Sequence, residues 1–325
     1  MPNYSVILAN VGKCSDRYLS TGYSKDFSID EMFERVASVK GVTGVELVSS
    51  WNVTPNNVDQ IKRNLRDTGL KLVSIIPDHF GEMKWGKGAF TSKDPGIRRE
   101  AIEVTKTFMD ISTQLGGDLI SLWPGQDGYD YPFQGDYIKE RTWFEDGVKE
   151  CCLHRKDVRV AIEYKIKEPR NFSYPSTAAS TLLMVKEINE PNCGVTIDYG
   201  HAAVAYENVA ESVALIKKYG DKLFHVHMND NYGFWDDDMI TGAIHTIPFV
   251  EFFYWLKKTN YTGYISTDQY PYREDGRDAV DESVRWFEVF DELVSKIDDH
   301  EIEKIYATGN ACEISAYMRK LLFNR

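Results

Sequence analysis

The chain has 325 residues, 42% of them hydrophobic and 13% aromatic, which supports a large buried core and excludes a disordered protein. Its formal net charge of -12 disfavours nucleic acid and anionic membrane surfaces as partners. The length suits one large α/β barrel or two ordinary domains.

The five cysteines, Cys14, Cys151, Cys152, Cys193 and Cys312, are odd in number and lack metal-type pair spacing. They are read as reduced thiols. The start, MPNYSVILANVGK, has neither the basic opening nor the apolar stretch of a signal peptide. No apolar run approaches the ~20 residues of a membrane helix. A cytoplasmic location is the expectation.

Taken in order, Tyr4–Ala9 reads as a first buried strand. Ile29–Val39 is a helix, with Ser28 and Glu31 placed for a capping box. Gly44–Val48 is the second strand, and Thr54-Pro55 opens a helix running to about Thr68. Lys71–Ile76 is the third strand, followed by an aromatic loop and a helix from Asp94 to Leu115 that Gly116-Gly117 ends. Asp118–Trp123, Val158–Tyr164, Gly194–Ile197, Lys222–Met228 and Gly263–Thr267 complete eight strands. Helices over Asp136–His154, Pro175–Glu187, Val209–Tyr219, Pro248–Lys258 and Asp278–Ile297 separate or follow them. Eight such alternations predict a (β/α)8 TIM barrel over residues 1–297 with a helical C-terminal extension over 298–325. A doubly wound sheet is the runner-up, weakened because no Gly-rich phosphate turn follows the early strands.

In such barrels chemistry gathers at the C-terminal ends of the strands. Strands five to eight end in Glu163, Asp198, His227 and Asp268, and four of the seven histidines fall between His201 and His245. Each has an ordinary explanation when taken singly. Glu163 could pair with Lys165, Asp198 could cap the next helix, His227 could be a core histidine and Asp268 could begin a turn. Three carboxylates and an imidazole at equivalent strand ends would instead need a cation to stay ionised together. Oxygen and nitrogen ligands without thiolate suit manganese, magnesium or cobalt.

A second set comprises His201, Asp236 and Asp238. In an extended segment Asp236 and Asp238 point the same way and Asp237 points away. Asp198 can reach both sets, so two cations sharing it, roughly 4–5 Å apart, are expected, near or slightly beyond the usual two-metal spacing. Trp51, Phe90, Trp123, Tyr129 and Trp235 are the aromatic candidates for the barrel mouth, with apolar faces on which a small molecule can pack.

The segments IEYKIKEPR (Ile162–Arg170), TIDYGH (Thr196–His201), FHVHMND with the following DDD (Phe224–Asp238) and STDQYPYRED (Ser266–Asp275) resemble the metal-site motifs of the xylose isomerase-like barrels. In the second half the pattern is most similar to that of L-rhamnose isomerase. The resemblance implies an aldose–ketose sugar isomerase using two divalent cations. It implies Glu163, Asp198, His227 and Asp268 as ligands of a structural ion, and Asp198, His201, Asp236 and Asp238 as ligands of a catalytic one. Lys165, His201 and Asp236 are then the expected catalytic residues, with Lys165 polarising the substrate carbonyl. Trp51, Phe90, Trp123 and His225 are the expected substrate contacts, His225 alternatively lying behind the ligands. The resemblance also implies a homodimer or homotetramer.

Xylose isomerase carries a ring-opening histidine–aspartate pair on an early strand. The second-strand segment here, GVELVSSWNV, carries none, and His79 is the remaining candidate for that task. The competing readings are a one-metal keto-sugar epimerase, a metal-dependent endonuclease, which would want a basic face, and a sugar-binding protein without catalysis.

Overall fold

The structure is a computed structural model that describes residues 3–13 and 19–323. Cys14 therefore lies outside the described residues. Eight parallel strands close into a barrel: β1 Asn3–Ile7, β2 Val42–Val48, β3 Lys71–Ile76, β4 Leu119–Leu122, β5 Arg159–Glu163, β6 Cys193–Asp198, β7 Leu223–Met228 and β8 Tyr264–Thr267. The order around the barrel is β1-β8-β7-β6-β5-β4-β3-β2, so the expected (β/α)8 TIM barrel is the fold.

Strand alternation gives the barrel two chemically different faces. Outward residues such as Val45, Leu47, Ile120, Ile162, Val195, Ile197 and Val226 join the main hydrophobic core. That core packs them against the helices α1 Ile29–Ala37, α2 Val58–Thr68, α3 Pro95–Gln114, α4 Tyr137–His154, α5 Ala178–Ile188, α6 Tyr199–Val204, α7 Val209–Tyr219, α8 Thr246–Lys258 and α9 Gly276–Ser295. The intervening residues fill the interior and are largely polar. Ser5 bonds Ser266, Ser74 bonds Glu46, and Ser121 and Thr196 hydroxyls lie 3.2 Å apart. Ile7, Val48 and Ile76 form a small separate apolar cluster at the mouth.

Local chemistry sets most boundaries. Ser28 and Glu31 form the full capping box of α1. α2 starts at Val58 rather than at Pro55: Thr54–Asn57 close a turn in which the Asn57 side chain accepts from Thr54 N at 2.7 Å, and Asn57 then holds the N-cap position without a side-chain cap bond. Thr177 caps α5, which therefore begins three residues beyond Pro175. Two features were not expected. α6 is inserted directly after β6, and Gly128–Tyr129 pairs antiparallel with Phe172–Ser173 to join the loops after β4 and β5.

After α9 come α10 Asp299–Thr308 and α11 Ala311–Phe323, neither with a fully buried residue. Ile302, Met318, Leu321 and Leu322 pack partly on the core. Cys151, Cys152 and Cys193 are buried free thiols and Cys312 an exposed one. Among the described residues no helix is long and apolar enough to cross a membrane.

Phe287 is fully buried between Tyr4 and Phe253, with ring centroids 5.4 and 6.2 Å away. Phe287→Ala is expected to lower unfolding free energy by about 3–5 kcal/mol in a denaturant titration. A loss below about 1 kcal/mol would mean that the helix–barrel seam is not close-packed there.

Candidate metal centre and active site

The ends of β5 to β8 bring Glu163, Asp198, His227 and Asp268 together, with one ligand atom from each within 4.8 Å of the others. Register accounts for part of this: Asp198 and His227 are direct partners in the β6–β7 pairing. Asp198 also caps α6, accepting from His201 N at 2.8 Å. Its two oxygens accept from Asn229 Nδ2 at 3.1 and 3.0 Å. Gly200 makes that approach possible, because a Cβ there would meet Asn229 Oδ1 at 1.8 Å.

The cluster fits a divalent cation on its own geometry. His227 turns Nε2 towards Glu46 Oε2 at 3.3 Å. Its Nδ1 faces Glu163 Oε2 at 3.1 Å and Asp268 Oδ2 at 3.3 Å, yet makes no hydrogen bond. A lone pair aimed at two carboxylates in a dry site calls for positive charge between them. Burial, reinforced by Asp236, Asp268 and Glu163 against the opposing pull of His201, pushes Asp198 up to about 7. Burial likewise raises Asp268.

Beside the cluster lies a second group around Lys165. Its buried ammonium is 2.7 Å from Asp236 Oδ2 and 3.0 Å from Glu168 Oε2, and 5.5 Å from the Trp123 ring centre. Burial alone would lower Lys165, but Asp236 and Glu168 hold it above the ordinary lysine range. Asp236 Oδ2 is also 3.2 Å from His201 Nε2. Despite burial, Lys165 and His201 hold Asp236 well below the usual carboxylate range. Burial would lower His201 too, but Asp198 and Asp236 push it up to about 9. Of the second expected ligand set, His201 lies 3.9 Å from Asp198 and 3.2 Å from Asp236, and Asp238 lines the same cavity, but two of these side chains have other partners as well. Asp236 is engaged by Lys165, while His201 Nδ1 points to Tyr164 O at 3.0 Å. Among the described residues the other group with ligand spacing is Glu46, His225 and His227. Asp238 lies in the left-handed region (φ 51°) and lines the cavity, whereas Asp237 accepts from Tyr232 N.

Both groups open onto a cavity of about 350 Å³ lined by Glu163, Lys165, His201, Asp236, Asp238 and Asp268 on one side. Ile7, Val48, Ile76, Trp51, Phe80 and Trp123 line the other. Phe80 bridges the two tryptophans, 4.6 Å from Trp123 and 5.7 Å from Trp51. A larger cavity, about 460 Å³, lies at the opposite end of the strands. Its charged groups are already paired, Arg159 with Asp118 and Lys217 with Asp221.

Several expected residues fall elsewhere. Phe90 is core: it packs on His79 and Phe144 at 5.3 and 5.6 Å and does not reach the mouth. Tyr129 stacks on Phe172 in the two-stranded ribbon, and Trp235 is 41% exposed outside the cavity lining. His225 is buried below the ligands and bonds Glu46, so it lies behind them rather than facing the cavity. His79 is enclosed by Trp85 and Phe90, and burial pushes it down to about 4. It does not line the cavity.

Reading the sequence missed Glu46, Asp78, Phe80, Glu168 and Asn229. A lone carboxylate inside GVELV was the available signal for Glu46. Asp78 had none, because its role is to join two loops. Its carboxylate accepts from Ser50 Oγ (2.6 Å), Trp51 Nε1 (3.1 Å), Phe80 N (3.2 Å) and Gly81 N (2.6 Å).

A profile described as a xylose isomerase-like TIM barrel matches residues 33–289, and the chain belongs to that family. Among named relatives it is 28% identical over 236 residues to the xylose isomerase of Thermus thermophilus, covering 70% of this chain and 61% of that protein. It is 27% identical over 254 residues to the xylose isomerase of Thermus caldophilus, covering 74% and 65%. The chain thus spans somewhat less than two thirds of the length of these relatives. Similar solved structures include a D-tagatose 3-epimerase-like protein (TM-score 0.70, 21% identity, covering 90% of this chain and 99% of that one). Another is the D-allulose 3-epimerase of Methylomonas sp. in complex with D-allulose (TM-score 0.69, 17% identity, covering 89% and 96%). At those identities the likeness is one of fold.

Asp78→Ala leaves four donors without their acceptor, at a cost of about 1–3 kcal/mol. It is expected to lower stability by that amount and to increase acrylamide quenching of Trp51, read against a Trp51→Phe control. Unchanged stability and quenching would show that Asp78 does not hold the aromatic wall.

Proposed function

We propose that the protein is a divalent-metal-dependent aldose–ketose sugar isomerase. The observation that carries this reading is Lys165: a buried ammonium in the cavity wall, two residues beyond Glu163 and paired with Asp236. Glu163, Asp198, His227 and Asp268 would hold a divalent cation, which supplies Lewis-acid stabilisation to the oxygens of an open-chain sugar. The relatives named xylose isomerase and the motif likeness to L-rhamnose isomerase support the same reaction class.

The remaining roles follow from charge. When the hydrogen on C2 migrates with its electron pair to C1, the O2 proton must leave and O1 must gain one. Lys165 is placed to hold the negative charge developing at O1 and to give it a proton. Asp236, held low by Lys165 and His201, becomes an acceptor for the hydroxyl proton once Lys165 has turned from it to O1. Trp51, Phe80 and Trp123 pack on the C–H face of the sugar and limit water. A second cation on Asp198, His201, Asp236 and Asp238 would have to replace Lys165 as the partner of Asp236.

A keto-sugar epimerase is the second reading. Glu163 and Asp268 both line the cavity, so two carboxylates could flank a carbon next to a carbonyl.

The test is a panel of aldoses and ketoses incubated with manganese in D2O and followed by NMR. Isomerisation by hydride shift gives an aldose–ketose pair with the migrating hydrogen retained. Epimerisation by proton transfer gives inversion with solvent deuterium at the inverted carbon and would displace the isomerase reading. Removing metal with a chelator is expected to abolish conversion, and manganese, cobalt or magnesium to restore it; turnover in the metal-free protein would sink the proposal. Lys165→Met is expected to keep cation binding in calorimetry and to lose about 100-fold or more in kcat. A kcat within a few-fold of the parent would remove Lys165 from the reaction.

A further inference from the structure

Glu46 sits in the middle of β2, one layer below the ligand cluster and fully buried. Among the described residues its ion-pair partners are two histidines and no lysine or arginine. Oε1 accepts from His225 Nε2 at 2.9 Å. Oε2 stands 3.3 Å from His227 Nε2 and also accepts from the Ser74 hydroxyl. The two imidazoles lie 4.8 Å apart and nearly perpendicular, so each meets a different oxygen of one carboxylate. These contacts cross the barrel interior from β7 to β2, which β8 and β1 separate in the sheet.

A carboxylate only accepts, so both Nε2 atoms carry protons. A neutral His227 is thereby fixed with its lone pair on Nδ1, the atom that faces Glu163 and Asp268. We propose that Glu46 is a positioning residue for the bound cation: it fixes the tautomer and ring angle of His227 so that Nδ1 is the ligand atom. His225, bonded to the other oxygen, keeps the carboxylate from turning. This inference rests on reading Glu163, Asp198, His227 and Asp268 as cation ligands. Partners of this kind behind a metal-bound histidine orient the ring and raise its basicity.

Ser74 makes the inference sharply testable. In Glu46→Gln the hydroxyl of Ser74 and the N–H of His227 both donate towards the Oε2 position. The amide oxygen therefore takes that place, and the NH2 turns to His225, which accepts as its other tautomer. Glutamine keeps His227 correctly protonated; alanine does not.

The experiment titrates manganese into the chelator-stripped full chain by calorimetry, with bound ions counted by elemental analysis and folding checked by circular dichroism. Glu46→Ala is expected to weaken manganese binding about 10–100-fold with the ion count unchanged, and Glu46→Gln to recover most of that loss. Parent-like affinity in Glu46→Ala would overturn the inference. So would the loss of one whole ion, which would make Glu46 a ligand. Failure of the parent itself to bind manganese would instead overturn the metal reading beneath it. Should the alanine variant not fold, the unmodified chain decides. With 15N-labelled histidine and zinc bound, His227 is expected to carry its proton on Nε2 and the metal on Nδ1, and the reverse assignment would refute the proposal.

Discussion

A closed barrel admits little water to its interior, yet this one places Glu46, Glu163, Asp198, His225 and His227 there, with Asp236 and Asp268 at its mouth. Charge in such a place has to be answered by opposite charge or by a proton. The structure answers it in tiers. Below, Glu46 is answered by two imidazole N–H groups. At the mouth, Asp236 is answered by Lys165 and His201. Between them, Glu163, Asp198 and Asp268 converge on one side of His227, and among the described residues His201, 3.3 Å from Glu163 and 3.9 Å from Asp198, is the other basic side chain in contact with them. Three carboxylates against two imidazoles leave this tier with excess negative charge and the ligand chemistry of a divalent cation.

The upper interior layer is divided by strand. β1, β2 and β3 contribute Ile7, Val48 and Ile76, and Trp123 follows β4, while β5 to β8 contribute the ligands. A sugar has the same division, with C–H faces on one side and hydroxyls on the other. The rim repeats the pattern. Asp78 ties the loop after β2 to the loop after β3 and fixes Trp51 beside Phe80, while Lys165 rises from the loop after β5. One side of the cavity is built to exclude water and the other to handle protons and charge.

This division explains what the sequence disclosed. Strand number and the four convergent residues were legible because each is a local fact: an apolar run that ends in a ligand type. The helix after β2 was misjudged at Pro55 because the Asn57 side chain accepts from Thr54 N and closes a turn there, which delays the helix to Val58. Phe90 and His79 were misplaced for a different reason. A residue in a loop beyond a strand end can turn into the cavity or into the helix layer, and the local pattern is the same for both. Here Phe90 and His79 pack on each other, Phe90 also on Phe144 of α4 and His79 beside Thr105 of α3, and both gain burial in the helix layer. Asp78 and Glu46 act across loops and across the barrel, and no spacing in one segment encodes a partner in another.

The second acidic group shows how an ion pair and a metal site compete for the same atoms. Asp236, Asp238 and His201 have a ligand-like composition and lie on one cavity wall, but Lys165 reaches Asp236 first. A buried ammonium–carboxylate pair at 2.7 Å is stabilised by mutual attraction that a cation must replace, and the displaced ammonium keeps Glu168 at 3.0 Å and is left able to meet one further anion. An oxygen developing negative charge on a bound sugar is such an anion. Substrate and cation would therefore draw the pair apart together, each lowering the cost of the other. On the proposed isomerase reading, the lysine that pairs with Asp236 would turn to the carbonyl oxygen as that oxygen gains negative charge. That coupling gives Lys165 a reason to be buried beside a carboxylate rather than exposed at the rim.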